Sequence, residues 1–328
     1  MWSEETGKVQ DHLSALGQSV TERGKPPVVL TLFSCPKPFR GRIHTIQRNA
    51  IQSWIRLNPR PEVFLLGDEE GTAEAVREFD LGHIPQVALN EFGTPLVNSI
   101  FEEAEKAATT GLMGYVNADL ILMSDFVGAI HRVLEQEPRF LLVGRRWNLD
   151  IRDALLFDAQ WERQLKGRIA KEGVLHPHFA VDYFVFPKGV LGEIPPFAIG
   201  RPAWDNWILY RARSLDLPII DLTPAVTVVH QNHDYSHHPK GWTGAMKGDE
   251  SRRNIELAGD VAHVHSLLDA QFYLTRKGVR RRIRPYYSPF YLYRSLVILS
   301  NSRPSLKPLV RVIQRLGDRF LSHPVNPS

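Results

Sequence analysis

Four histidines stand within nine residues in the stretch His230-Gln231-Asn232-His233-Asp234-Tyr235-Ser236-His237-His238. Neutral imidazole is a good ligand for divalent transition metals, and a short polar segment can turn two such rings toward one ion or phosphate. The β-branched run Ala225-Val226-Thr227-Val228-Val229 directly precedes it and predicts a buried strand. His230 and His233 would emerge where that strand ends, a frequent place for sites in α/β folds. His237 and His238 read as the exposed continuation of the same turn. The bland alternative for the whole stretch is a solvated polar loop.

A second feature is a carboxylate set between two apolar runs. Leu112-Met113-Gly114-Tyr115-Val116 predicts a strand, Asn117-Ala118-Asp119 interrupts it, and Leu120-Ile121-Leu122-Met123 resumes the apolar pattern. An acid there is expensive to bury without a positive or hydrogen-bonding partner. A hard divalent cation, Mn2+ or Mg2+, carrying a nucleotide diphosphate would serve, because it takes a carboxylate on one side and phosphate oxygens on the other. A turn in which Asp119 caps the following backbone is the structural alternative.

Two more acids could act on an acceptor. Asp205 lies in Arg201-Pro202-Ala203-Trp204-Asp205-Asn206-Trp207, where indoles could stack on a sugar ring and burial would raise the carboxyl toward a useful base. It could also be the N-cap of the helix that follows. Asp182 opens the strand-like run Val181-Asp182-Tyr183-Phe184-Val185-Phe186-Pro187, as an acceptor contact, a second candidate base or a buried structural acid. Arg145 and Arg146 follow the run Phe140-Leu141-Leu142-Val143 and could clamp a phosphate, with Trp147 beside them; Arg201 could do the same.

Helical and strand patterns alternate along the body, the mark of an α/β layer fold. Strands are expected at residues 28–33, 62–66 and 86–89, and helices at 43–57, 72–79 and 96–108. With no internal repeat or low-complexity linker, residues 27–270 read as one domain, preceded by an arm at 1–26 and followed by an extension at 271–328.

The Asn117-Ala118-Asp119 element after a strand, the downstream Trp204-Asp205-Asn206-Trp207 and a late strand ending in His230 together resemble nucleotide-sugar glycosyltransferases of the GT-A fold, family 2-like, over roughly residues 28–260. The resemblance implies a Rossmann-like mixed sheet flanked by helices, and transfer of a sugar from a nucleotide-diphosphate donor to a hydroxyl of a glycan, glycolipid or surface polysaccharide. In that family an Asp-x-Asp motif binds ribose and metal-diphosphate; here Asn117 replaces the first acid. By resemblance Asp119 keeps the metal role, Asn117 contacts ribose or phosphate, and Asp205 is the base of an inverting transfer. Other classes fit parts of the pattern: a metal-dependent hydrolase built on the histidine cluster, or a carbohydrate-binding module without catalysis.

The 328 residues are 43% hydrophobic and 23% charged, ordinary for a globular protein with a real core. The single cysteine, Cys35, rules out an internal disulfide framework and a cysteine-based zinc site, so a reduced cytoplasm is the expected compartment. No leader or anchor pattern shows near the first residues. From Arg276 onward twelve Lys and Arg oppose one acid, so the formal +4 is the sum of a +11 tail and a −7 body. Tyr286, Tyr287, Phe290, Tyr291 and Tyr293 follow the basic cluster, a composition suited to an anionic membrane surface on its inner face, or to a plain helical extension. Nucleic acid is not expected, because no helix-turn-helix, zinc-finger or RNA-recognition pattern accompanies the charge.

Overall fold

The computed structural model describes residues 30–233, 246–259, 261–282, 296, 299–300 and 303–312. Thirteen strands form two sheets among them. They are β1 (Thr31–Ser34), β2 (Glu62–Leu66), β3 (Gly82–Ile84), β4 (Leu112–Val116), β5 (Leu120–Leu122), β6 (Leu141–Val143), β7 (Trp147–Leu149), β8 (Val174–Leu175), β9 (Tyr183–Pro187), β10 (Ile219–Asp221), β11 (Val228–Gln231), β12 (Phe272–Thr275) and β13 (Gly278–Arg281). The seven α-helices used below are α1 (Gly41–Trp54), α2 (Thr72–Phe79), α3 (Val97–Ala107), α4 (Asp125–Leu134), α5 (Trp161–Glu172), α6 (Trp204–Ser214) and α7 (Asp249–Ala258).

The large sheet runs β13-β12-β10-β6-β9-β4-β1-β2-β3. Its β4-β1-β2-β3 half is parallel, as the strand-helix-strand alternation requires, and β9 enters antiparallel between β4 and β6. All five residues of β4 are buried because helices cover both faces. Successive residues alternate between two apolar layers: Met113 and Tyr115 join α3 and α6, whereas Leu112 and Val116 join α1 and α4. The expected α/β mixed sheet flanked by helices is the observed architecture.

A second sheet, β5-β11-β7-β8, carries His230 and follows the first through the short turn between β4 and β5. Helix α1 locks it to the large sheet. Its buried side presents Ile46, Ala50, Ile51 and Trp54 at helical spacing, and the Trp54 indole N–H donates to the Leu120 carbonyl at 2.8 Å. Trp54 is fully buried, so Trp54→Ala is expected to destabilise the fold by about 3–5 kcal/mol, through the cavity and the orphaned carbonyl. A lowered urea midpoint at unchanged slope would register it.

Two expectations need correction. Residues 86–89 are not a strand: the third strand is β3, and Leu89 makes only an isolated bridge to Pro95. Gly82 opens that strand because a Cβ there would meet the Phe64 ring at 2.2 Å, a packing reason that periodicity does not display. Ala225 and Val226 form a turn, both donating to the Leu222 carbonyl, so the strand starts later and His230 lies inside it. Past residue 270, β12 pairs with β10 and β13 closes the sheet edge, where Arg282 bonds Asp221 at 2.6 Å.

Beyond that hairpin, residues 307–312 are helical and Val310 packs on Ala262. The arm at 1–26, the aromatic residues 286–293, and His237 and His238 lie outside the described residues. Among the described residues no helix is long and apolar enough to cross a membrane.

Candidate active site

Asn117-Ala118-Asp119 forms the turn between β4 and β5, closed by the Leu120 N–H donating to the Asn117 carbonyl at 3.1 Å. β5 then pairs antiparallel with β11 so that His230 stands opposite Leu120, next to Asp119. β11 runs parallel to β7 on its other side, which brings the Arg145-Arg146 segment to the same place. Gln231 pins the junction from beneath. Fully buried, it donates to the carbonyls of Ile46 at 2.8 Å and Asp119 at 3.2 Å, and accepts from Asn49 at 3.0 Å.

Three side chains thus converge. His233 Nε2 lies 3.0 Å from Asp119 Oδ2, His230 Nε2 lies 3.7 Å from the same oxygen, and one ligand atom from each of the three falls within 4.8 Å of the others. Their side chains are 17%, 14% and 9% exposed for Asp119, His230 and His233, respectively. Among the described residues, Asp119 Oδ1 and His230 Nδ1 are buried with no hydrogen-bond partner. Burial pushes the Asp119 carboxyl up, but His230, His233 and Lys37 together hold it well below the usual carboxylate range. Burial lowers His230 to about 4, against the pull of Asp119 and with the repulsion of Arg146, His233 and His176. His230 is therefore neutral at pH 7, the form that ligates metals.

Asn117 is turned away from this trio. Its Oδ1 accepts from the Tyr115 hydroxyl at 2.8 Å and its Nδ2 donates to Asp182 Oδ1 at 2.9 Å. Asp182 in turn ion-pairs with Arg146, both largely buried, so its carboxylate is neutralised and oriented. Its carboxylate is thus shared between a guanidinium and an amide, which suits Asp182 to holding Arg146 in place.

Asp205 lies in the first turn of α6, and the N-cap position belongs to Ala203, at φ 82°. Its Oδ2 accepts from the Val181 N–H at 3.5 Å. Burial raises its carboxyl to about 6, moderated by the backbone N–H groups of Asn206, Val181 and Asp205 itself and by Arg146. Arg146 is a common neighbour, its charge acting on Asp205, His230 and His176 alike.

The other candidates fare differently. Trp204 is only 5% exposed and its ring meets Tyr115 edge-on at 5.2 Å beside Phe101 and Phe184, so it belongs to the core and has no free face for a sugar. Arg201 is bound to Glu250 at 2.6 Å, with both side chains 12% exposed. Arg145 donates to the His176 and Leu175 carbonyls and so braces β8. Two residues escaped the sequence reading. Lys37 follows β1 between two prolines, held by paired backbone bonds to Gln47; burial lowers its ammonium, opposed by Asp119 and assisted by Arg201. His176 is lowered to about 4 by partial burial and by Arg146 and Arg145, and its Nδ1 has no partner among the described residues. The only signal for Lys37 was its place in a loop past the end of a parallel strand, where α/β sites gather.

No family model and no curated protein matches the chain. Among solved structures, S. aureus TarS 1-349 in complex with UDP-GlcNAc is similar with a TM-score of 0.46 and 9% identity, covering 88% of this chain and 88% of that one. Glucosyl-3-phosphoglycerate synthase from Mycobacterium tuberculosis, in complex with Mg2+ and uridine-diphosphate, is similar with a TM-score of 0.42 and 12% identity, covering 78% of this chain and 83% of that one. Another S. aureus TarS 1-349 structure has a TM-score of 0.43 and 11% identity, and the match spans 62% of this chain and 60% of that one. TM-scores below 0.5 carry no activity over to this chain.

Proposed function

We propose that this chain is a GT-A-like glycosyltransferase that moves a sugar from a nucleotide-diphosphate donor to a hydroxyl of a glycan or glycolipid acceptor. The observation that supports it best is the convergence of Asp119, His230 and His233, with an Asp119 oxygen that is buried and unpartnered among the described residues and a base-like Asp205 that shares Arg146 as a charged neighbour with His230. A buried oxygen without a partner beside two imidazoles fits a divalent ion. Such an ion supplies a positive centre for the diphosphate oxygens of the donor.

The chain's own residues do the rest. Asp119, His230 and His233 fix where the diphosphate must lie, and Arg146, oriented by Asp182, adds a cation that steadies charge developing on the leaving group. Asn117 bonds Tyr115 and Asp182 and so orients that network. Asp205, unprotonated above about pH 6, accepts the proton of the acceptor hydroxyl as the oxygen attacks the anomeric carbon. Partial burial raises its basicity without keeping it protonated at neutral pH.

Melting of the purified chain with nucleoside diphosphates and nucleotide sugars, with and without Mn2+, tests this directly. A ligand at about 100 times its dissociation constant adds about 2.7 kcal/mol to the native state, on the order of 5 °C or more for a domain of this size. One nucleotide should give that shift, larger with metal, and incubation of its sugar conjugate with hydroxyl acceptors should release the diphosphate. No response to any nucleotide, with a response to Zn2+ and hydrolysis of ester substrates, would replace the transferase by a histidine-centred hydrolase.

A further inference from the structure

The segment 176–182 joins β8 to β9. On one side it is tied to the first turn of α6, because the Val181 N–H donates to Asp205 Oδ2 at 3.5 Å and the Asn206 amide donates to the Phe179 carbonyl at 2.9 Å. On the other it is tied to the turn between β6 and β7: the His176 N–H donates to the Arg146 carbonyl at 2.9 Å, and Arg145 Nε donates to the His176 carbonyl at 2.5 Å. We propose that Arg145, His176 and Phe179 form an acceptor subsite for a sugar that carries a negative charge, its phosphate or carboxylate meeting Arg145 and His176 and its ring lying on Phe179. The inference rests on reading Asp205 as the base that takes the acceptor proton.

The call for an anion comes from which nearby cations already have partners. Arg146 is paired with Asp182 and Arg282 with Asp221, so each of those charges is cancelled locally. Arg145 makes no ion pair among the described residues. Its guanidinium donates to two backbone carbonyls, those of His176 and Leu175, and keeps its other N–H groups for a ligand. Burial lowers both His176 and His178, and the positive charge of Arg145 adds to that effect at each. A half-buried cation held only by carbonyl dipoles gains from a carboxylate or phosphate that its planar fork can grip.

The neighbouring rings supply the rest of the subsite. His176 is half-buried and makes no side-chain hydrogen bond among the described residues, so its neutral ring has an N–H to offer the same anion. Phe179 is 62% exposed, and the His176 ring meets it edge-on at 5.3 Å. Its backbone is held by Asn206, which leaves a positioned aromatic face of the kind that packs on the apolar face of a sugar. The same segment therefore touches both the acid that takes the proton and the cation that would hold the charge. An acceptor gripped by its anion would have its hydroxyl brought into register with Asp205.

Saturation-transfer NMR of the full chain, without nucleotide sugar and with glucose 6-phosphate, glucuronate and glucose as probes, tests the subsite separately from transfer. Both charged sugars should bind about 10–100-fold more tightly than glucose, as a charge-assisted contact implies, and the tighter of the two tells phosphate from carboxylate. That preference should shrink between about 20 mM and about 500 mM salt. Arg145→Gln, whose amide can still donate to a carbonyl, should bring the three affinities together, whereas Phe179→Ala should weaken all three alike. Should Arg145→Gln fail to fold by circular dichroism, the wild-type preference, its salt dependence and Phe179→Ala decide. Equal binding of the three sugars by the wild type, binding of none, or an unchanged preference in folded Arg145→Gln would overturn the proposal. If the charged sugars bind as expected and no nucleotide sugar is turned over, the subsite stands and the transferase reading fails. If transfer proceeds as readily to glucose as to the charged sugars, the transferase stands and the subsite falls.

Discussion

Asp119→Ala should reduce sugar transfer by at least about 100-fold and erase the thermal shift given by Mn2+, while leaving the circular dichroism unchanged. Loss of an outer partner of a metal ligand typically costs 10–100-fold, and Asp119 would be a ligand itself, so that figure is a lower bound. The substitution removes a carboxylate that both imidazoles face. The fold should persist because the Asp119 contacts to the frame run through its backbone carbonyl, which accepts from Gln231, and not through its carboxylate. Asp119→Asn separates charge from shape: the amide can still meet His233, so a loss equal to that of alanine assigns the effect to charge. Full activity with alanine would remove Asp119 from the donor site altogether.

Asp205→Asn should lower transfer by roughly 10²–10⁴-fold, the usual range for deleting a general base, yet make the protein more stable above pH 6. The folded carboxyl titrates at about 6 against an ordinary value of 3.8. Because the folded value is the higher one, the protonated form favours the fold: that contribution is fully present below 3.8 and is lost as pH rises through about 6. At pH 8 the native state thus carries a penalty on the order of 3 kcal/mol for the buried charge. An asparagine carbonyl can accept the same Val181 N–H without that charge. Melting at pH 8 should therefore rise by several degrees in the variant and coincide with wild type near pH 4. The wild-type rate should fall tenfold per unit below about pH 6. A stabilisation independent of pH would mean that Asp205 is not the strained carboxylate described.

What the sequence made legible follows from which forces act locally. β2, β4 and α2 have the boundaries expected from it, since each is a clean apolar pattern closed by turn residues. Asp119 stood out because an acid between two buried runs demands a partner, and His230 and His233 because of their spacing. Their meeting depends on the pairing of β5 with β11, which no local pattern records. Trp204 misled because an indole beside an acid has the composition of a sugar platform, whereas helix α6 directs that ring into Tyr115 and Phe184. The ion pairs Arg146–Asp182 and Arg201–Glu250 likewise depend on distant segments. They turn candidate phosphate clamps into braces, or into a cation whose aim is set by its partner.

The turn bearing Asp119 and the strand end bearing His233 are 114 residues apart in the chain. Closing so long a loop is entropically slow and brings no reward until the two strands pair. No partly folded chain lacking that pairing holds the three ligands together. Bound metal would therefore act as a tie across the completed fold, draining no stability into compact intermediates and withdrawing only the finished molecule from unfolding and proteolysis. Supply of the ion to newly made chains would then govern how many survive as well as how many work.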